Sequence, residues 1–162
     1  MTEPVRILFV CLGNICRSPS AHGVFRQRVS QAGLEAKLLI ESAGTGDWHL
    51  GKAPDRRSAA VAMSRGVDIS DLRARLVTSQ DFHAFDYLLA MDNSNLADLQ
   101  AMAPANHGAT LGLFLDYATA SGAIREVPDP YYGGDQGFEH VLDLVEDASD
   151  GLLLTLRQKY SL

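Results

Sequence analysis

The stretch RILFVCLGNICRSPS, residues 6–20, decides the fold and poses the first question about function. RILFVCL (6–12) is a continuous apolar run without clean alternation, which suits a strand covered on both faces in a parallel sheet. It stops at Gly13 and Asn14. Ser18 followed by Pro19 then predicts a helix start, with Ser18 as N-cap and proline at the first helical position, where its missing N–H costs nothing. Ala21, Val24, Phe25 and Val29 share one face of that helix, and Gly33 is placed to end it.

The rest of the chain repeats the pattern. KLLIES (37–42) reads as a second strand, followed by the Gly-rich loop AGTGDWHLGKAPD (43–55), which carries the sole tryptophan, Trp48. Loops of that length tend to be functional. A short helix is predicted over Asp55–Arg65, a third strand over DYLLA (86–90), a helix near Leu96–Met102, and a fourth strand within TLGLFLD (110–116). A long amphipathic helix runs from Phe138 to about Lys159, where Gly151 is expected to weaken or kink it. Strands alternating with helices predict right-handed βαβ units and an open parallel sheet with helices on both faces. In such folds ligands sit outside the carboxyl ends of the strands, and CLGNICRSPS is the loop at the first of them.

Composition limits what that loop can serve. The 162 residues fit a single domain, 1–162, and 46% apolar against 21% charged residues provide a core. Lys and Arg number 14 against 20 Asp and Glu, a formal charge of −6, which argues against a broad nucleic-acid or membrane footprint. An anion must be bound locally. No run suits a membrane span or secretory signal, so the reading is a cytoplasmic protein. Cys11 and Cys16 are too few for a disulfide framework or a thiolate zinc site. His49, His83, His107 and His140 have no metal-ligand spacing and read as satisfied or solvated, so neither metal nor cofactor is expected.

A thiol at Cys11 and a guanidinium at Arg17 close a short loop that runs straight into a helix N-terminus. Curled backbone amides can form an anion nest, the helix dipole adds partial positive charge, and Arg17 can fork two donors onto a phosphoryl group. Free cysteine titrates near 8.5, and such a field lowers that value, so a resting thiolate is expected. Held beneath a charge-compensated phosphate, it can attack phosphorus in line. Gly13 relieves the turn of a side chain and Asn14 tolerates left-handed backbone. Ser18 could cap the helix or donate to the thiolate.

These residues also resemble a known family, the low-molecular-weight protein tyrosine phosphatases, whose signature is a cysteine, five residues and Arg-Ser near the N-terminus. VCLGNICRSP is similar to it, and the likeness continues through SAGTGDWHLG (42–51), FDYLLAMDNSNL (85–96) and VPDPYYGG (127–134). The resemblance implies a flavodoxin-type three-layer α/β sandwich with strand order 2-1-3-4. It implies Cys11 as nucleophile, Arg17 as phosphate clamp, and the amides of Leu12, Gly13, Asn14, Ile15, Cys16 and Arg17 as the phosphate cradle. Asn14, Ser18 and Ser42 would support the loop, and Asp129 would be the general acid that then serves as base. Trp48, Tyr131 and Tyr132 would wall the substrate cleft, and Cys16 would be the redox partner of Cys11. The implied substrates are phosphotyrosine-containing proteins, with inorganic phosphate as product inhibitor and a monomeric enzyme. Two departures stand out. Leu72 occupies a position where many members have a histidine supporting the loop through its asparagine, and the sequence leaves open how rigidly Asn14 is held without it. His22 replaces a common glutamate, with an effect expected only on the helix surface.

Two other readings remain at this stage. Arsenate reduction uses the same kind of loop with further cysteines, and this chain has no third one. A non-catalytic phosphoprotein-binding module would need the cradle but not Asp129.

Overall fold

The computed structural model describes residues 3–131 and 133–162. Four parallel strands, β1 (Val5–Cys11), β2 (Leu38–Gly44), β3 (Tyr87–Ala90) and β4 (Thr110–Leu113), form one sheet in the order β2-β1-β3-β4, as expected. The unbroken apolar run of β1 has a simple cause. Side chains alternate across a strand, so Ile7 and Phe9 enter one core while Leu8 and Val10 enter another. Both layers are apolar.

The first core lies under α1 (Arg17–Gln31) and α5 (Asp135–Tyr160), where Phe9 meets Phe25 and Phe114 edge-on with ring centroids 5.7 and 4.9 Å apart. Each large apolar side chain sealed there contributes about 1.5–3 kcal/mol. The second core lies under the four-residue helix α3 (Asp81–Ala84) and α4 (Asn93–Met102), through Phe82, Phe85 and Leu99. α2 (Arg56–Ser64) packs beside α5, where Arg65 just past its end reaches Glu139, Asp143 and Glu146 on one α5 stripe. Among the described residues no helix is long and apolar enough to cross a membrane.

Local expectations differ from the structure in three places that matter. First, α1 begins at Arg17 with Cys16 as its N-cap and no side-chain cap, because the Ser18 hydroxyl is engaged inside the loop instead. Second, the apolar run 110–116 is strand only to Leu113. The chain then turns through a 3-10 helix (Phe114–Tyr117) that carries Phe114 beneath Phe9. Third, α5 runs unbroken through Gly151, which is buried where the helix meets the Tyr117 carbonyl.

A Cβ at position 151 would lie 1.7 Å from the Tyr117 oxygen, so α5 and the 3-10 turn would have to part. Alanine gains up to about 1 kcal/mol of helix propensity over glycine. The clash outweighs it. Gly151→Ala is expected to lower stability by about 3 kcal/mol, roughly 6–12 °C in a thermal melt. An unchanged or higher Tm would show that the contact is not tight.

Candidate active site

The loop between β1 and α1 lies at the carboxyl ends of the strands, where its neighbours hold it by backbone hydrogen bonds. Thr45 and Gly46 donate to the Cys11 and Leu12 carbonyls at 3.0 and 2.9 Å, and Asp55, the N-cap of α2, donates its amide to the Ile15 carbonyl at 2.8 Å. Gly44 permits the approach, since a Cβ there would sit 2.7 Å from the Leu12 oxygen. Asn14 takes the left-handed backbone its residue type tolerates, φ 56°. Its side chain is fastened at both ends. Oδ1 accepts from the Arg75 amide at 3.0 Å, and Nδ2 donates to Ser18 Oγ at 2.7 Å. Leu72 packs against the core, and it is the Arg75 amide that holds the Asn14 side chain.

At the centre is the buried Cys11 sulfur. The Asn14 amide donates to it at 3.3 Å, and Ser18 Oγ lies 3.0 Å away. Among the described residues, the amides of Leu12, Gly13, Ile15, Cys16 and Arg17 donate to no protein acceptor, so five backbone donors at one helix start remain available to an anion. Cys16 differs in kind. Burial pushes its thiol up to about 12; a hydrogen bond with Ser58 offsets part of that, while Asp55, Cys11 and Asp129 add to it. It is a poor nucleophile at neutral pH.

Arg17 is only 3% exposed and is fixed by Asp92 at 2.6 Å and the Val127 carbonyl at 3.0 Å, both through Nη1. Burial opposes its charge, but the Cys11 sulfur and the Asp92 and Asp129 carboxylates outweigh that and raise its pKa further. Nη2 stands 3.6 Å from Asp129, whose side chain is 40% exposed and accepts the Tyr131 amide at 3.0 Å. Asp129 lines the same cleft as Cys11, in a turn closed by its own carboxylate. Cys11, Arg17 and Asp129 line one cleft of about 290 Å³ with Trp48, His49 and Tyr131. Trp48 is 67% exposed and rests against Gly46. Tyr132 lies outside the described residues.

The structure adds four residues that sequence reasoning had not assigned to the site. Asp92 caps α4 by accepting the Asn95 amide at 2.7 Å and spends its other oxygen on Arg17. Its signal was the polar MDNSN at a strand end. Arg57 donates to the Tyr131 carbonyl at 2.8 Å and lies over the Phe138 ring, 4.5 Å from its centroid, tying the Asp129 turn to α2. His49, read as satisfied or solvated, lies beside the Tyr131 ring with centroids 5.8 Å apart. His22 is buried rather than on the surface, and its Nδ1 is 3.0 Å from Ser42 Oγ. No sequence signal marked these last three, because each acquires its partner from a distant segment.

A buried sulfur that accepts hydrogen bonds, a fixed guanidinium and a carboxyl lining the same cleft fit an enzyme that handles oxyanions with a thiol. Comparison with known proteins names the class. The family model for low molecular weight phosphotyrosine protein phosphatase matches residues 6–162. The chain is 45% identical over 157 residues to the low molecular weight phosphotyrosine protein phosphatase of Schizosaccharomyces pombe, covering 96% of this chain and 99% of that one. It is also 45% identical to the low molecular weight protein-tyrosine-phosphatase of Streptomyces coelicolor, covering 95% and 94%. A crystal structure of a protein tyrosine phosphatase from Entamoeba histolytica, with Hepes in its active site, superposes with a TM-score of 0.91 at 41% identity, covering 96% and 99%. The chain belongs to the low molecular weight phosphotyrosine protein phosphatase family, and its activity is hydrolysis of phosphotyrosine.

Proposed function

We propose that catalysis is shared among three side chains. The Cys11 sulfur attacks phosphorus in line, forming the S–P bond as the P–O bond to the tyrosyl oxygen breaks. Asp129, protonated, gives that oxygen its proton, so the leaving group departs as a phenol. The same carboxylate then takes a proton from water, whose oxygen displaces the thiolate and releases inorganic phosphate. Arg17 and the loop amides hold the equatorial oxygens throughout. The observation that carries this reading is the set of five amides free of protein acceptors around a sulfur already served by Asn14 and Ser18. Hepes bears a sulfonate, and its presence in the relative's active site accords with such a cradle.

The cleft favours an aryl ester. Exposed Trp48 and half-buried Tyr131 line it together with the buried Cys11, so a phosphate carried on a flat aromatic group suits it. Proteins bearing phosphotyrosine are therefore the substrates, and free phosphate, fitting the same loop, is a competitive inhibitor. Cys16, lining the same cleft, is placed to capture Cys11 after a peroxide converts it to the sulfenic acid, forming a disulfide and releasing water. We assign the activity to one domain over 1–162, acting as a monomer in the reducing cytoplasm.

The test is hydrolysis of a phosphotyrosyl peptide and its phosphoseryl counterpart by the fully reduced protein in EDTA. Full turnover of the first is expected, with the second at least about 10²-fold slower because its shorter arm misplaces the phosphorus. Binding of the phosphotyrosyl peptide without turnover would favour a binding module instead.

A further inference from the structure

Ser18 and His22 are four residues apart on α1, about one turn, and so share a face. That face meets the end of β2, where Ser42 and Ala43 are consecutive. His22 Nδ1 lies 3.0 Å from Ser42 Oγ, with both side chains buried. One turn earlier, Ser18 Oγ lies 3.4 Å from the Ala43 carbonyl and 3.0 Å from the Cys11 sulfur. Asn14 Nδ2 already donates to this oxygen. A hydroxyl has one proton to give, so the sulfur and the carbonyl compete for it. The carbonyl is at the outer edge of hydrogen-bonding distance. A few tenths of an ångström between α1 and β2 therefore decide which acceptor Ser18 serves.

We infer that His22, acting through Ser42, is a positioning residue for the nucleophile: it braces α1 against β2 so that the Ser18 hydroxyl points to the Cys11 sulfur and not to the Ala43 carbonyl. The inference rests on the reading of Cys11 as nucleophile and of Ser18 and Ser42 as its supports. The charged groups near His22 are Arg26, on α1, and Asp71, in the segment after α2. They are bonded to each other at 2.9 Å, with no hydrogen bond to the ring. Burial, helped by the Arg26 charge, lowers the His22 pKa to about 4. The ring stays neutral above that pH, and its bond to Ser42 keeps one form through the mildly acidic range. Around the sulfur the charged and titratable groups are Arg17, which pairs with Asp92 and lies 3.6 Å from Asp129, and the Cys16 thiol.

The experiment reads the sulfur directly and needs no turnover. Alkylation of Cys11 by iodoacetamide is followed from pH 5 to 9, with the modified cysteine identified by mass spectrometry, in wild type, His22→Leu, His22→Asn and Ser42→Ala. Leucine fills the space without a partner for Ser42, whereas asparagine places an amide near the position of Nδ1. In His22→Leu and Ser42→Ala the pH of half-maximal alkylation should rise, slowing the reaction about three- to tenfold at pH 6 with the alkaline plateau unchanged. His22→Asn should return toward wild type, and the His22→Leu/Ser42→Ala double variant should move no further than either single one. Profiles that overlay the wild type overturn the brace, as does an equal loss at all pH values, which marks a merely structural role. Should His22→Leu fail to fold, Ser42→Ala, which removes one oxygen, decides the question alone. If wild-type Cys11 is alkylated but no aryl phosphate is cleaved, the phosphatase roles fail while the brace is still judged by its own profile.

Discussion

Cys11→Ser is expected to abolish turnover of aryl phosphates, by at least about 10⁴-fold in kcat, while leaving the fold and the phosphate cradle intact. A serine hydroxyl is a far weaker nucleophile than a cysteine sulfur, so the variant has no effective nucleophile to present. Most of the site is independent of the sulfur. The amides of residues 12, 13 and 15–17, the Arg17–Asp92 pair and the Asn14 side-chain contacts to Ser18 and Arg75 all involve other atoms. The oxygen is slightly smaller than the sulfur it replaces, and Ser18 and the Asn14 amide can bond to it as they bond to sulfur. Binding should therefore survive. The measurements are steady-state hydrolysis of para-nitrophenyl phosphate, a thermal melt, and calorimetric titration with a phosphotyrosyl peptide. Retained turnover would remove Cys11 from the nucleophile's role. Lost binding together with lost turnover would mean that the sulfur holds the loop rather than attacking from it.

How much of this site was legible in the chain follows from the range of each interaction. The opening loop could be read because its chemistry is local: Cys11, Asn14, Arg17 and Ser18 fall within eight consecutive residues, at the junction of an apolar run and a helix. The strand order and the layers followed from alternation of strands and helices, with the resemblance supplying the order. Ser18 shows where local reading stops. Its hydroxyl suits a helix cap and a sulfur donor equally well, and only the fold, which sets Cys11 3.0 Å away, decides between them. Asp92, Arg57 and His49 lie about 30–75 positions from the loop and enter through the sheet order and the α2 packing, which no pattern of period 2 or 3.6 encodes. His22 was misread for the same reason, because its burial is created by β2 and the segment after α2. Gly151 looked like a weak point in a helix since glycine usually is one, but here its missing side chain makes room for the Tyr117 carbonyl. The four-residue α3 is too short to leave a periodic signature.

Asp129→Asn carries the second large effect, and its pattern across leaving groups is more telling than its size. The substitution keeps the shape of the side chain and an oxygen for the Tyr131 amide, so the turn should persist. What is lost is a proton to give and, in the second step, a base to receive one. A rate loss of about 10²–10³-fold is expected for para-nitrophenyl phosphate, whose leaving group needs little help, and a larger one for phenyl phosphate, whose leaving group is the stronger base. Phosphate should bind at least as well, because a negative charge 3.6 Å from the Arg17 guanidinium has been removed from beside a dianion. Equal slowing of the two esters would mean that Asp129 only shapes the cleft and that the proton comes from elsewhere.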